Sequence, residues 1–553
     1  MIPAPIVKIY KTVHTWTGIT CGFALFIAFY AGALTMFMEP IARWASPPAP
    51  GVAQTPLDAT PALIDKLLAA HPEVREHGFT VHLAPREDLP ARVTWEVELP
   101  HDESDPGHEH EHAHWWAALA PDGALVARQE EPSELGMFID EVHMRVGIPG
   151  WWGSSFMGAV SLLYGVALIS GVIVLLPSLA RDFFALRVGK NLKRMWLDAH
   201  NVVGITGLPF HIIIATTSVA FSLGALLFGA QGTLIYGDKH RAAMQRFQAQ
   251  FRQPQATGEA APMLAPAQLL ERVQAQAPGF VPEAMTYQKA GDKAAVVRFT
   301  GREPGYVMEH RYAAVVLSAV TGEAVNDSLR PSRQDPWWRT TMTLAGLHFG
   351  QYGGAVVRWS YFLLGLAGAW LFYGGNLLWV ETRRKAQRKA GDELPVQRRD
   401  TYWLAAGTVG VCLGCVAGLS ATIAAAKWLH GRVADLNHWH EVIYYAVFFA
   451  SIAWAFARGA ARSSVELLWL CAAATLAIPL KSLLAVLFPS LGLWAPGSAA
   501  TIGVDVTAFV GALCLAWMAR ATARRVKHGP VDSVWSARGA EPAASPAVAA
   551  RES

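Results

Sequence analysis

Eight stretches of this chain stay apolar for as long as a helix needs to cross a bilayer. They lie near 12–38, 154–177, 198–228, 355–380, 402–426, 441–457, 464–488 and 504–520, and one crossing takes about 20 residues. No aqueous core of ordinary size hides that many, so lipid must be part of the solvent. The charge content agrees: 16% of residues are Asp, Glu, Lys or Arg, against about a quarter in soluble domains. The first run follows Lys8 and Lys11 and could mimic a signal peptide. Its apolar stretch is too long for a typical signal core and no convincing small-residue cleavage site follows, so an uncleaved helix is expected.

Basic residues in the short connections set the expected orientation. Clusters follow the second, fourth, sixth and eighth runs, around Arg181–Arg194, Arg383–Arg399, Arg458–Arg462 and Arg520–Lys527. With eight spans all four clusters fall on one side, which places both termini in the cytoplasm. The tail at 528–553 is rich in Ala, Pro and Ser and reads as a disordered cytoplasmic extension. The formal charge of +3 is too small to argue for nucleic acid. All five cysteines, Cys21, Cys412, Cys415, Cys471 and Cys514, sit in apolar runs. No disulfide framework or Cys-x-x-Cys-His attachment site is therefore available. Cys412 and Cys415 read as packing residues, because burial disfavours a thiolate.

Two long segments, 39–150 and 229–347, must face outward, and they look alike. Each opens with a helical stretch, Ala62–Ala70 or Ala267–Ala277, and continues in four short strand-like runs. Those of the first segment lie near Phe79–Leu83, Arg92–Glu98, Trp115–Ala120 and Ala124–Arg128. Those of the second lie near Met285–Gln288, Ala294–Phe299, Tyr312–Ser318 and Glu323–Asn326. The last two strands of each are joined by a Gly-containing turn, Pro121-Asp122-Gly123 or Thr321-Gly322. The flanking spans repeat as well. His14-Thr-Trp-Thr-Gly18 opens the first and His200-Asn-Val-Val-Gly204 the third; His143 precedes the second and His348 the fourth. The fold expected is a polytopic α-helical membrane protein with two α+β outer domains in a duplicated helix–domain–helix unit. The expected parts are the first helix within 1–38, outer domains at 39–150 and 229–347, helices at 154–228 and 355–380, and a four-helix region at 402–520 outside the repeat.

An ionisable side chain inside a membrane is a functional hypothesis by default. His14 and His200 occupy matching places near the inner face, His143 and His348 near the outer face. His211 lies eleven residues beyond His200, about 16 Å along a straight helix and on nearly the same side. Paired histidines from neighbouring helices can fill both axial positions of a haem iron. Gly18, Gly204 and Gly207 would let a flat macrocycle approach the backbone. One interfacial histidine is usually a snorkelling or hydrogen-bonded side chain; four in register with a duplication argue for a site. Zinc fits less well, since neither layer offers Cys or carboxylate company.

These His-x-x-x-Gly helix openings, with outer domains ending in strand–Gly–strand hairpins, resemble the PepSY-associated transmembrane helix family, which includes iron-regulated inner-membrane proteins and ferric-siderophore reductases. The resemblance covers about 1–385. It implies an inner-membrane protein with two b-type haems, periplasmic PepSY-like domains, and His14, His143, His200 and His348 at the family's histidine positions. His211 is a further candidate ligand, although Leu25 stands at the equivalent place in the first repeat.

The sharpest local signal is the tract from His101 to His114, with five histidines and five carboxylates in fourteen residues. His101, His108, His110, His112 and His114 are candidate ligands for a divalent metal, and solvated low-complexity loops share this composition. His430, His438 and His440 lie at an outer connection and read as interface residues. The leading expectation is transmembrane electron transfer from the cytoplasmic side or the quinol pool to a ferric siderophore or other periplasmic acceptor, the work of an oxidoreductase. No Gly-x-Gly-x-x-Gly fingerprint appears, so the donor must be a membrane quinol or another protein. The alternative is a non-enzymatic periplasmic metal-binding or metal-transport membrane protein.

Overall fold

A computed structural model describes residues 3–48, 55–84, 91–98, 112–130, 133–180, 187, 192–237, 245, 248, 254–307, 313–334, 336–350, 352–389 and 398–538. The chain forms two units. One comprises 1–45, 133–216 and 361–553, the other 46–132 and 217–360.

Nine helices carry the argument: α1 Ala4–Thr35, α2 Leu135–Arg145, α3 Gly150–Leu175, α4 Leu192–Thr206, α5 Leu208–Ser222, α6 Gly354–Lys389, α7 Arg399–Leu429, α8 Leu436–Leu487 and α9 Ala499–His528. Among the described residues six helices are long and apolar enough to cross a bilayer, and α4 with α5, bent by 69°, counts as a seventh if the pair is one broken span. The helix α8 has 52 residues but contains Gly459 at φ 74° and ψ 155°. That backbone is left-handed and favours glycine, and it divides α8 into two helices, 436–458 and 460–487, each long enough to span. Counted this way, the described residues hold up to eight spans, near the places read from sequence. The protein is a polytopic helical membrane protein.

The bend between α4 and α5 has a local cause. Gly207 separates the two helices, and Pro209, which follows closely, has no N–H and its ring collides with the carbonyl four residues back. The expectation of one straight helix carrying His200 and His211 on a common side is therefore corrected. The pairing of α7 with α8 has an equally simple origin. A Cβ on Gly410 would come within 2.8 Å of Ile452 Cα, one on Gly414 within 3.1 Å of the Phe448 carbonyl, and one on Gly418 within 2.9 Å of Tyr444. Glycine every fourth residue lets the backbones touch, the usual means of helix association where lipid removes the hydrophobic drive. Cys412, Cys415 and Cys471 are buried here, as packing residues should be; Cys514 is exposed.

The other unit is built on eight antiparallel strands: β1 Phe79–His82, β2 Val93–Glu98, β3 His112–Leu119, β4 Leu125–Glu130, β5 Val281–Gln288, β6 Val296–Arg302, β7 Ala314–Ser318 and β8 Ala324–Asn326. These fall on the runs read from sequence. Their order is β4-β3-β2-β1-β5-β6-β7-β8, so the two repeats share one sheet rather than forming separate domains. The seam pairs β1 with β5, and Thr80 lies opposite Thr286 with their hydroxyls 2.9 Å apart. The helices Thr60–Ala70 and Pro266–Gln276 are offset by 266 − 60 = 206 residues, and so is the threonine pair, 286 − 80 = 206. Equivalent residues thus face each other across the seam, and a pseudo-two-fold axis passes between them. Phe79 stacks on Tyr287 at 4.7 Å beside it, and one apolar core draws on both halves, including Leu63, Leu67, Trp95, Leu269, Phe299 and Leu317.

The chain beyond α9 departs from expectation. Asp532, Ser533, Trp535 and Ser536 are buried, and Arg384 donates to Asp532 at 2.9 and 3.3 Å while also pairing with Glu381 at 2.8 Å. A buried guanidinium calls for carboxylate partners, so residues 530–538 dock instead of trailing in solvent; 539–553 lie outside the described residues. Asp532→Ala would leave Arg384 with one carboxylate and is expected to release this segment at a cost of about 3 kcal/mol. Limited proteolysis checks it: the variant should be clipped between 529 and 538 much faster than the parent.

Candidate functional site

Within the membrane unit, α1 carries His14 against α3. Its Nδ1 lies 2.8 Å from the Ala167 carbonyl. A carbonyl only accepts, so Nδ1 holds the proton and Nε2 the lone pair. The His200 ring of α4 stands across from it, with ring centres 6.3 Å apart and planes at 77°. His200 Nδ1 is buried and has no hydrogen-bond partner among the described residues. Leaving such a nitrogen unmet costs about 1–3 kcal/mol, an arrangement suited to a site completed by another group.

Small residues make room around this pair. A Cβ on Gly171 of α3 would fall 2.9 Å from His14 Cε1, and one on Gly375 of α6 would fall 3.9 Å from His200 Cε1. Gly18 and Gly204 stand four residues beyond each histidine, one turn on and on the same side of the helix. A Cβ at either would meet nothing within 4 Å. The His-x-x-x-Gly openings therefore leave open space at the glycine one turn beyond each histidine. An imidazole nitrogen binds a first-row metal at roughly 2 Å, and the ring centre lies roughly 1 Å further on. Two imidazoles on opposite sides of one iron thus have centres about 6 Å apart. The pair fits haem on ring spacing, and His14 also on tautomer.

His143 of α2 repeats the arrangement farther along α1. Its Nδ1 donates to the Ala28 carbonyl at 2.7 Å, and a Cβ on Gly32 would reach within 2.7 Å of that ring. Ala28 is fourteen residues from His14, about 21 Å along the helix. His211 stands between the two levels. The α6 glycine it faces, Gly368, is seven residues from the one facing His200, Gly375, a rise of about 10 Å. The Tyr164 hydroxyl lies 2.7 Å from His211 Nδ1, while His211 Nε2 is buried without a partner among the described residues. Around it Phe29 lies 5.7 Å from Tyr164, 6.2 Å from Phe210 and 5.2 Å from Phe372, ring centre to centre. This aromatic layer separates the His14–His200 level from that of His143.

His348 belongs to the sheet-bearing unit. Its Nδ1 lies 2.7 Å from Thr217 Oγ1, and its ring is edge-on to Phe221 at 5.1 Å. In the same unit, His112 and His114 lie in β3, and His114 Nδ1 is 3.3 Å from Glu96 Oε1. His101, His108 and His110 lie outside the described residues.

Two buried polar groups depart from the sequence reading: His440, expected as an interface residue, and Lys427, which went unread. His440 is 0% exposed, neither ring nitrogen has a partner among the described residues, and its ring centre is 6.3 Å from that of Phe138 on α2. Lys427 at the end of α7 is 1% exposed. It donates to Ser482 Oγ at 3.0 Å and the Trp494 carbonyl at 3.2 Å, under the Trp44 ring at 3.9 Å. Its signal was visible as a lone cation at the end of an apolar run.

The family model described as the PepSY-associated TM region matches residues 11–382. An uncharacterized protein of Pseudomonas aeruginosa is 28% identical over 253 residues, which cover 44% of this chain and 61% of the relative. The chain thus spans less than two thirds of that relative's length.

Proposed function

The chain belongs to the PepSY-associated TM family, and from that premise we propose that it moves single electrons across a bacterial inner membrane to ferric iron held in a periplasmic siderophore. The observation that carries this reading is the facing pair His14 and His200, with ring centres 6.3 Å apart. Bound by that pair, and at a second site that includes His143, haem b would supply a one-electron couple whose potential follows its axial ligands and burial.

The chain's own groups do the rest. The Ala167 and Ala28 carbonyls hold His14 and His143 each in one tautomer and one orientation, which is how second-shell partners fix ligating imidazoles. His211 lies in the same unit as His143 and is a candidate for the second ligand there, its orientation fixed by Tyr164; His348, in the other unit, is the candidate that the repeat suggests. The rings of Phe29, Tyr164, Phe210 and Phe372 fill the intervening layer and keep water out. At the acceptor, Fe(III) gains one electron and becomes Fe(II), which hard siderophore oxygens hold less firmly. The iron then leaves and the siderophore is freed. The electron comes from a membrane quinol or a protein donor.

A visible spectrum of the detergent-purified protein tests the reading. Low-spin b-type haem at two per chain is the expected result; a colourless protein with bound zinc or copper would instead favour the metal-handling alternative. The orientation has its own test. Both termini are cytoplasmic and the sheet is periplasmic, since the four basic clusters share one side. Single cysteines at Asp122 and Thr321 should react with an impermeant maleimide in intact cells, and one at Lys385 should not. Labelling of the Lys385 position from outside overturns the topology.

A further inference from the structure

We infer that the end of the sheet at β2, β3 and β4 is a binding site for a divalent transition metal, and that it takes up the ferrous ion released by reduction; the second part rests on the function proposed above. Strand register is the argument. Glu96, His114 and Glu130 lie in one row across the three strands, and Glu98 and His112 lie opposite each other in the next. His112 and His114 are two residues apart, about 6.6 Å along the strand, and alternation puts them on one face. Trp115, Ala117 and Leu119 belong to the core cluster, so the histidine positions lie on the face away from it.

The contact that orients a ligand is already made. The Glu96 carboxylate beside His114 Nδ1 favours the tautomer whose Nε2 lone pair points elsewhere, the carboxylate–histidine pairing that supports metal ligands. The His114 side chain is 46% exposed. Among the described side chains no three such groups converge; the register supplies their proximity, and the cation supplies the closure. Imidazole with carboxylate suits divalent first-row metals, whereas siderophore oxygens suit Fe(III). The ligand set thus changes in step with the oxidation state.

Anaerobic equilibrium dialysis of the full-length protein against Zn(II) and then Fe(II) tests it. One tight stoichiometric site is expected. His112→Ala with His114→Ala should abolish it, and Glu96→Gln should weaken it about 10–100-fold. The triple variant His101→Ala, His108→Ala, His110→Ala should keep it. Tight binding that survives loss of His112 and His114, or that vanishes in the triple variant, overturns the site. After reduction of a ferric hydroxamate the parent should retain one equivalent of Fe(II) and the double variant none; equal retention overturns the ferrous role. The haem spectrum should be the same in every variant, which also reports folding. A colourless protein that still binds metal refutes the proposed electron transfer and leaves the site standing. A haem-bearing protein with no tight site does the reverse.

Discussion

His14→Ala and His200→Ala should each remove about half of the bound haem, and the half that goes should be the same in both variants. The two imidazoles face each other at 6.3 Å, and loss of either leaves the other without an opposed ligand. His143→Ala should remove the other half, because its position beside Ala28 is about 21 Å from His14 along α1, too far for one porphyrin to touch both. His211→Ala and His348→Ala then identify the partner of His143: the one whose loss copies His143→Ala is the ligand, and the other should prove dispensable. Haem-to-protein ratios and redox titrations of the five variants read this directly. Unchanged haem content in all five sinks the di-haem reading.

Gly204→Leu and Gly18→Leu should have nearly as large an effect, with no ligand touched. A Cβ at either position meets nothing within 4 Å, so Gly→Ala is expected to leave haem content unchanged. A leucine places its branched end in the space next to His200 or His14 and should exclude a flat macrocycle there. Loss of one haem in the leucine variants, retention in the alanine variants, and equal yields of folded protein form the expected pattern. Haem retained with leucine at both positions would mean that the open space faces lipid, and the slot would have to be sought elsewhere.

Burial of apolar side chains and the charge of connecting loops are local properties, and they were legible. The eight spans could be counted from runs of apolar residues because a bilayer imposes one length on every crossing. The duplicated order of helix, four strands and helix could be read because strand alternation and glycine turns leave their pattern in a few consecutive residues. His14, His200, His143 and His348 emerged from that repeat, not from anything unusual in their immediate surroundings. The His101–His114 tract announced itself by composition, although only register separates His112 and His114, opposite Glu98 and Glu96, from the rest.

What joins distant parts of the chain was not legible. The antiparallel pairing of β1 with β5 merges two repeats into one sheet, yet Thr80 and Thr286 are ordinary strand residues until they meet. Pro209 was on the page, but a helix can kink at proline or continue past it, and only the structure shows the 69° bend between α4 and α5. The docked tail depends on Arg384, whose need for Asp532 arises only once both are buried. The same holds for His440, whose burial no local pattern signals. Periodicity and composition determined which segments are apolar enough to enter the membrane and which histidines occupy repeated positions. Contacts between residues far apart in sequence decided where those histidines point, because such contacts leave no periodic trace in either partner.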